Sequence, residues 1–296
     1  MAQGNHSAAA AFANNGPAAV DAEREFAFSD ADFRGLAQVA YEQAGIALAD
    51  SKRNLVYSRL SRRLRALGLS TFREYRDFLS ENLAERESFI NAISTNLTKF
   101  FRESHHFDHL RSEVVGRFAK MNAGKSGRMR IWSAGCSSGE EPYTIAVVIK
   151  KEIRDLERHD IRILATDIDT EVLGRGSRGE YPANSVDDIP RPYQDCFQPV
   201  DGAKAETIAV DRQARGLVAF KRLNLMETWP FKGTFDAIFC RNVMIYFDGP
   251  TKAKLIERYT EKLNPGGFLY IGHSESLNGS HPGLSLVGRT IYRREP

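Results

Sequence analysis

The chain has 296 residues, of which 42% are hydrophobic and 27% charged, with a formal net charge of +3 at pH 7. That composition belongs to a folded protein of one large or two smaller domains and excludes collagen-like, fibrous and wholly disordered classes. The densest apolar run, Ile145 to Ile149, is five residues long, far below the ~18 that a membrane span requires. The first twenty residues lack the basic start and apolar run of a secretory leader, and Cys136, Cys196 and Cys240 lie far apart without metal-ligand spacing. The expectation is a cytoplasmic protein with reduced thiols, no bound metal and no membrane insertion.

Residues 1–24 are rich in Ala, Asn and Gly without apolar periodicity, which predicts a flexible tail unable to offset its ordering entropy by burial. Residues 25–105 read as a helical domain. Ser29 or Asp30 caps a helix that carries Phe33, Leu36 and Ala40 on one side and stops near Gly45. A second helix runs from Ser51 to Gly68 over the stripe Val56, Leu60, Leu64 and Leu67. Thr71 and Glu74 have capping-box spacing for a third, and Leu83 to Ile93 supplies a fourth. Between Ser51 and Arg76, eight Lys or Arg accompany a single acid, Glu74, a basic patch that points to an acidic partner. Lys52, Arg59 and Arg63 fall within ~40° of helical arc beside the apolar stripe. With Arg53 and Arg62 they are the candidate contacts to that partner.

Residues 106–128 read as a linker helix and the loop Asn122-Ala-Gly-Lys-Ser-Gly. From 129 to 296 short apolar runs ending in polar or Gly-rich turns alternate with helical stretches, the signature of an α/β domain built from βαβ units. Strands are expected at Arg130 to Ala134, Ile161 to Ala165, Leu217 to Leu223, Phe235 to Cys240, Gly267 to Gly272 and Thr290 to Arg294. Arg175 to Gly216 is too long for an ordinary connection and holds the alternating segments Phe197 to Val200 and Thr207 to Val210. It predicts a small antiparallel β subdomain at about 197–220.

The first strand runs into Ser133-Ala-Gly-Cys-Ser-Ser-Gly-Glu-Glu-Pro-Tyr-Thr144. Gly135 and Gly139 permit a tight turn at the carboxyl end of a strand, where open α/β sheets bind ligands. The turn lacks Gly-Lys-Ser/Thr and carries acids where a pyrophosphate needs bare amides, so it is no phosphate cradle. An acidic helix start suits an ammonium, as on the methionine end of S-adenosylmethionine; a helix simply stabilised by its dipole is the plainer alternative. Asp167, first after the second strand, suits ribose hydroxyls, and Asp169 suits a helix cap. Arg241 and Asn242 end the fourth strand of the series and fall in the cleft, whereas pattern leaves Tyr246 between packing and function. Phe100 and Phe101 read as core or cofactor-stacking residues. Arg102 needs a partner, either a structural carboxylate or a substrate. His105 and His106 read as helix-surface residues.

Five blocks together resemble the chemotaxis receptor glutamate O-methyltransferases, the CheR family of class I S-adenosylmethionine methyltransferases. They are Thr-Asn-Leu-Thr-Lys-Phe-Phe-Arg (95–102), Ala-Gly-Cys-Ser-Ser-Gly-Glu-Glu-Pro-Tyr (134–143), Ala-Thr-Asp-Ile-Asp-Thr (165–170), Cys-Arg-Asn-Val-Met-Ile-Tyr-Phe (240–247) and Gly-His-Ser-Glu-Ser (272–276). The resemblance implies an all-α N-terminal domain, then a Rossmann-like class I methyltransferase domain with the β subdomain inserted. It implies S-adenosylmethionine as cofactor, S-adenosylhomocysteine as product, and a cofactor set of Asn96, Thr98, Arg102, Gly135, Glu141, Asp167, Asn224, Leu225, Cys240, Arg241 and Asn242. Arg102 and Tyr246 fall where the family places residues that assist methyl transfer. The implied partner is the cytoplasmic helical region of membrane chemoreceptors. Some members also dock a receptor C-terminal peptide on the β subdomain. A monomer is expected.

A glutamate side chain, with a pKa of ~4.3, is already ionised at neutral pH and needs no general base. That fits motifs in which no base stands beside a nucleophile. Competing readings are a methyltransferase of the same fold with another substrate and a non-catalytic S-adenosylmethionine- or receptor-binding adaptor. A nucleic-acid substrate is disfavoured, because Arg-Asn-Val-Met stands where base-amine enzymes carry Asn/Asp-Pro-Pro-aromatic.

Overall fold

A computed structural model describes residues 24–200, 202, 206–277 and 281–296. The tail expected at 1–24 lies, apart from Arg24, outside the described residues. The four N-terminal helices form where local chemistry starts and stops them. Helix α1 (Asp30–Ala44) begins with a reciprocal capping box between Ser29 and Asp32 and ends on Gly45 at φ 70°. Helix α2 (Arg53–Leu67) ends on Gly68 in the same left-handed conformation. Helix α3 (Phe72–Glu81) has the Thr71/Glu74 capping box, and α4 (Leu83–Ile93) is capped by Asn82. Their apolar stripes meet in one core around Phe28, Leu36, Leu60, Phe72, Tyr75 and Phe89.

The basic patch on α2 differs from its expected form, because most of its charge is spent inside the helical domain. Arg63 donates to both oxygens of buried Glu85 at 2.9 and 2.6 Å, and Tyr75 donates to the same carboxylate at 2.8 Å. Arg59 donates to the carbonyls of Ala92, Ile93 and Ser94 and so closes the end of α4. Arg53 pairs with Asp30 and donates to the Phe28 carbonyl. The compensating acids come from other helices, outside the stretch in which basic residues predominate. Lys52 and Arg62 stand exposed.

A helical stretch follows as α5 (His105–His109), a π-helical turn at Leu110–Val115, and α6 (Gly116–Met121). The α/β domain then alternates β1 (Arg128–Ala134), α7 (Glu140–Glu152), β2 (Asp160–Asp167) and α8 (Thr170–Arg178). Short strands β3 (Glu180–Pro182), β4 (Phe197–Pro199) and β5 (Thr207–Val210) precede α9 (Arg212–Gly216). The chain closes with β6 (Val218–Arg222), β7 (Phe235–Cys240), α10 (Gly249–Lys262), β8 (Leu263–Ile271), β9 (Leu284–Gly288) and β10 (Ile291–Arg294).

The large sheet runs β6-β2-β1-β7-β8-β10-β9. Its first five strands are parallel, and β10 is antiparallel to both of its neighbours. Strand order reverses between β1 and β7, which opens a crevice beyond their carboxyl ends. The second sheet, β3-β5-β4, is antiparallel. It is the expected β subdomain with shifted limits: β3 joins it upstream of 197, and Val218–Arg222 pairs instead with β2 in the large sheet. Strand β9 was not anticipated; it is a sheet edge whose Leu286 and Val287 are exposed, so it carries no buried alternation. No helix among the described residues is long and apolar enough to cross a membrane.

Glu85 organises three of the four helices, so Glu85→Ala is expected to lower stability by about 2 kcal/mol by leaving Arg63 and the Tyr75 hydroxyl without their acceptor. Arg62→Ala should change it by less than about 0.5 kcal/mol. Urea denaturation midpoints compare the two directly.

Candidate active site

The crevice at the β1/β7 reversal is a cleft of about 390 Å³. It gathers Asn96, Thr98, Arg102, Gly135, Glu141, Asp167, Asn224, Leu225, Arg241, Asn242 and Tyr246 around one space. Among the residues expected to contact an acidic partner, Lys52 reaches its wall; Arg53, Arg59, Arg62 and Arg63 do not. Cys240 differs from its expected place. It is fully buried in the core cluster with Trp132 and Tyr259, and the lining passes to Arg241.

Gly135 turns the chain off β1 at φ 85°, and a Cβ there would stand 2.3 Å from Val243 Cγ2, so any side chain would close the floor of the cleft. Beside it lies the Asp167 carboxylate, which accepts from the Ser137 amide at 2.8 Å and the Asp169 amide at 3.1 Å. Burial pushes its pKa up, against the pull of these two bonds. Among the described residues no lysine or arginine pairs with Asp167. A diol donating to its remaining lone pairs suits it electrostatically. Asp169 caps α8 through the Glu171 and Val172 amides and also accepts from Asn96 Nδ2 at 2.6 Å. The Asn96 amide is thus held by a cap. Asn224 likewise donates to the Gln43 carbonyl at 2.7 Å, tying the cleft floor to α1.

Arg241 is the central charge. Its side chain is 2% exposed and lies over the Phe107 ring, 5.3 Å from the centroid. Nη1 donates to Glu141 Oε2 at 3.0 Å, and Nη2 donates to the Arg102 carbonyl. Glu141 also accepts from the Ser133 hydroxyl at 2.7 Å. Burial raises the Glu141 pKa, and Arg241 opposes that rise. The Arg102 guanidinium donates to the Leu97 carbonyl at 2.7 Å. Tyr246 donates to the Thr95 carbonyl at 3.3 Å, and burial raises its phenol pKa, so it stays protonated at neutral pH. Phe100 and Phe101 are core residues, packed on Tyr181 and Phe197 and on Phe107 and Tyr193.

Sequence reasoning passed over Glu103, His273 and Glu275. Glu275 accepts from the amides of Gly272, Asn242 and Ile245 at 2.6 to 3.1 Å and so holds the loop after β7. Glu103 Oε1 accepts from His273 Nδ1 at 2.8 Å, and Oε2 faces Arg241 Nη2 at 3.4 Å. Burial would raise the Glu103 pKa, but His273 and Arg241 overcome it and hold the carboxyl at about 2. Glu103 is therefore an anion throughout the neutral range. His106 corrects the expectation of a helix-surface histidine: it is fully buried against Tyr270 and bonded through Nε2 to Thr290 at 3.0 Å. Signals for these roles were slight, because the acids meet their partners across thirty or more residues of chain, apart from the local Gly272 bond and the approach of His106 to Glu103.

Burial and the nearby Arg241 push the His106 pKa down to about 3 from 6.5. A depressed folded-state value means that His106 contributes stability above about pH 6.5 and that this is lost as pH falls toward 3. In His106→Gln the acid limb of stability against pH should therefore be shallower, by up to about 1.4 kcal/mol per pH unit within that window. Urea denaturation across pH 4 to 7 reads the difference.

The donor set fits S-adenosylmethionine: Asp167 would take the ribose hydroxyls and Glu141 the ammonium end. Comparison with known proteins agrees. The family description "CheR methyltransferase, SAM binding domain" matches residues 96–292, and "CheR methyltransferase, all-alpha domain" matches residues 31–94. A probable chemotaxis protein methyltransferase of Rhizobium etli is 43% identical over 257 residues, 86% of this chain and 96% of that protein. Chemotaxis protein methyltransferase 2 of Pseudomonas aeruginosa is 41% identical, covering 93% of this chain and 97% of its own. The chemotaxis protein methyltransferase of Escherichia coli is 41% identical over 90% of this chain and 91% of its own. The chain belongs to the CheR methyltransferase family, and most of the cleft lining falls within the residues matched by its S-adenosylmethionine-binding domain.

Proposed function

We propose that the protein transfers the methyl group of S-adenosylmethionine to glutamate side chains of chemoreceptors, giving methyl esters and S-adenosylhomocysteine for sensory adaptation. The observation that carries this reading is a cleft that brings together a guanidinium, Arg102, and a protonated phenol, Tyr246. Bound S-adenosylmethionine supplies a methyl carried on a sulfonium. A glutamate oxygen attacks that carbon in line; the O–CH₃ bond forms, the S–CH₃ bond breaks, and its electron pair stays on sulfur. No proton moves, so neither Glu141 nor Asp167 has to act as a base.

The chain's own residues then act by placement. Arg102 steers the incoming carboxylate by a charge-assisted hydrogen bond. Tyr246, as a donor, orients the second oxygen or shapes the space beside the methyl. Lys52, exposed at the cleft wall, and Arg62 attract the acidic face of a receptor helix, and this steering weakens with salt. The β3-β5-β4 sheet, with outer strands each leaving one edge unpaired, is assigned to a receptor C-terminal peptide. The protein is taken to act as a cytoplasmic monomer.

With methyl-labelled S-adenosylmethionine and membranes bearing the organism's own chemoreceptors, base-labile label should appear on receptor. It should fall at least about tenfold in Arg102→Ala. Unlabelled receptor, with S-adenosylhomocysteine binding intact by calorimetry, would overturn the receptor assignment.

A further inference from the structure

Arg102 sits on an unusual piece of backbone. Phe101 has φ 51° and Glu103 has φ 58°, so the residue offered to the cleft is flanked by two non-glycine residues in the left-handed region. For a bulky side chain such as Phe that conformation is an outlier that persists only where the surroundings impose it. The surroundings here can be named. The Phe101 amide donates to Thr144 Oγ1 at 3.2 Å, and its ring is buried against Phe107 and Tyr193. The Arg102 carbonyl is taken by Arg241. What remains is the Glu103 side chain, 10% exposed, which crosses to two other segments. It accepts from His273 at 2.8 Å on the loop after β8, and from Asn242 Nδ2 at 3.4 Å beyond β7, where Arg241 also faces it.

No step of methyl transfer uses the Glu103 carboxylate, and its oxygens are turned toward His273, Asn242, Arg241 and His106. A buried anion with four such neighbours and no chemistry of its own is a fastening. We propose that Glu103 is a positioning residue for methyl transfer: by joining the 101–103 turn to Asn242, Arg241 and His273, its carboxylate fixes the direction in which Arg102 enters the cleft. The inference rests on the reading of Arg102 as the group that steers the substrate carboxylate. It places the determinant of that steering on a residue which itself does not touch substrate. His273, half exposed on the far side of the carboxylate, is the outer member of the fastening and can be removed without opening the core.

Because Glu103 acts through Arg102, the two should not be additive. The experiment measures receptor methylation in the parent, Glu103→Gln, Arg102→Ala and the double variant, with KM for receptor and calorimetric affinity for S-adenosylhomocysteine alongside. Glu103→Gln should lower kcat about tenfold while KM for receptor moves less than about threefold. In the Arg102→Ala background the same change should lower kcat by less than about twofold. Should Glu103→Gln fail to fold, His273→Ala carries the test, with the same epistasis and a smaller loss. Equal losses in both backgrounds, or parental kcat in Glu103→Gln, would overturn the proposal and leave the methyltransferase reading standing. Parental kcat in Arg102→Ala would overturn the reading of Arg102, and the proposal with it.

Discussion

One buried guanidinium holds the catalytic half of this molecule together. Arg241 is almost wholly removed from water at the reversal of the parallel sheet, and such a charge is tolerated only when its donors are spoken for. It meets most of that demand through two segments, Glu141 at the start of α7 and the turn that carries the Arg102 carbonyl and Glu103, while its Nε stays buried without a hydrogen-bond partner among the described residues. Each contact that neutralises Arg241 also fixes a wall of the cleft. The acidic helix start, the Arg102 turn and the end of β7 are therefore placed by one electrostatic requirement. Breaking the arrangement would leave a buried charge without its counter-ion.

Polar bonds fit the helical domain to this site. Asn224 donates to the Gln43 carbonyl, the Ala47 amide donates to the Tyr246 carbonyl at 2.8 Å, and Asn96 donates to Asp169. Thr170, at the head of α8, accepts from Asn91 and donates to Glu87 on α4. These bonds put the loop after α1 and the segment after α4 over the mouth of the crevice. Two matched family regions, 31–94 and 96–292, meet at Asn96, where the cleft lining crosses from one to the other.

What was legible in the sequence was local. A cap at Ser29 or Asp30 and the capping-box spacing of Thr71/Glu74 announce their helices because such bonds span about three residues. The parallel order of β1 and β2 follows from the βαβ rhythm, and the glycine turn and Asp167 fall where that architecture puts ligands. Partnerships made through space were not legible. Arg63 and Glu85 lie 22 residues apart, and Arg53 and Asp30 lie 23 apart, so a basic helix that looked uncompensated is mostly neutralised in the fold. Cys240 faces the core and Arg241 the cleft; a strand buried on both faces carries no alternation by which sequence could have told them apart. His106 and Glu103 were hidden because most of their partners come from distant segments: β8, the loops after β7 and β8, and the turn before β10.

The most direct test of this account is the affinity for S-adenosylhomocysteine of Arg241→Lys, measured by calorimetry on protein shown by circular dichroism to be folded. A lysine keeps the charge but, as a point donor, does not span Glu141 and the Arg102 carbonyl together. The account predicts a loss of affinity of about tenfold or more. A folded Arg241→Lys protein that binds as tightly as the parent would contradict it.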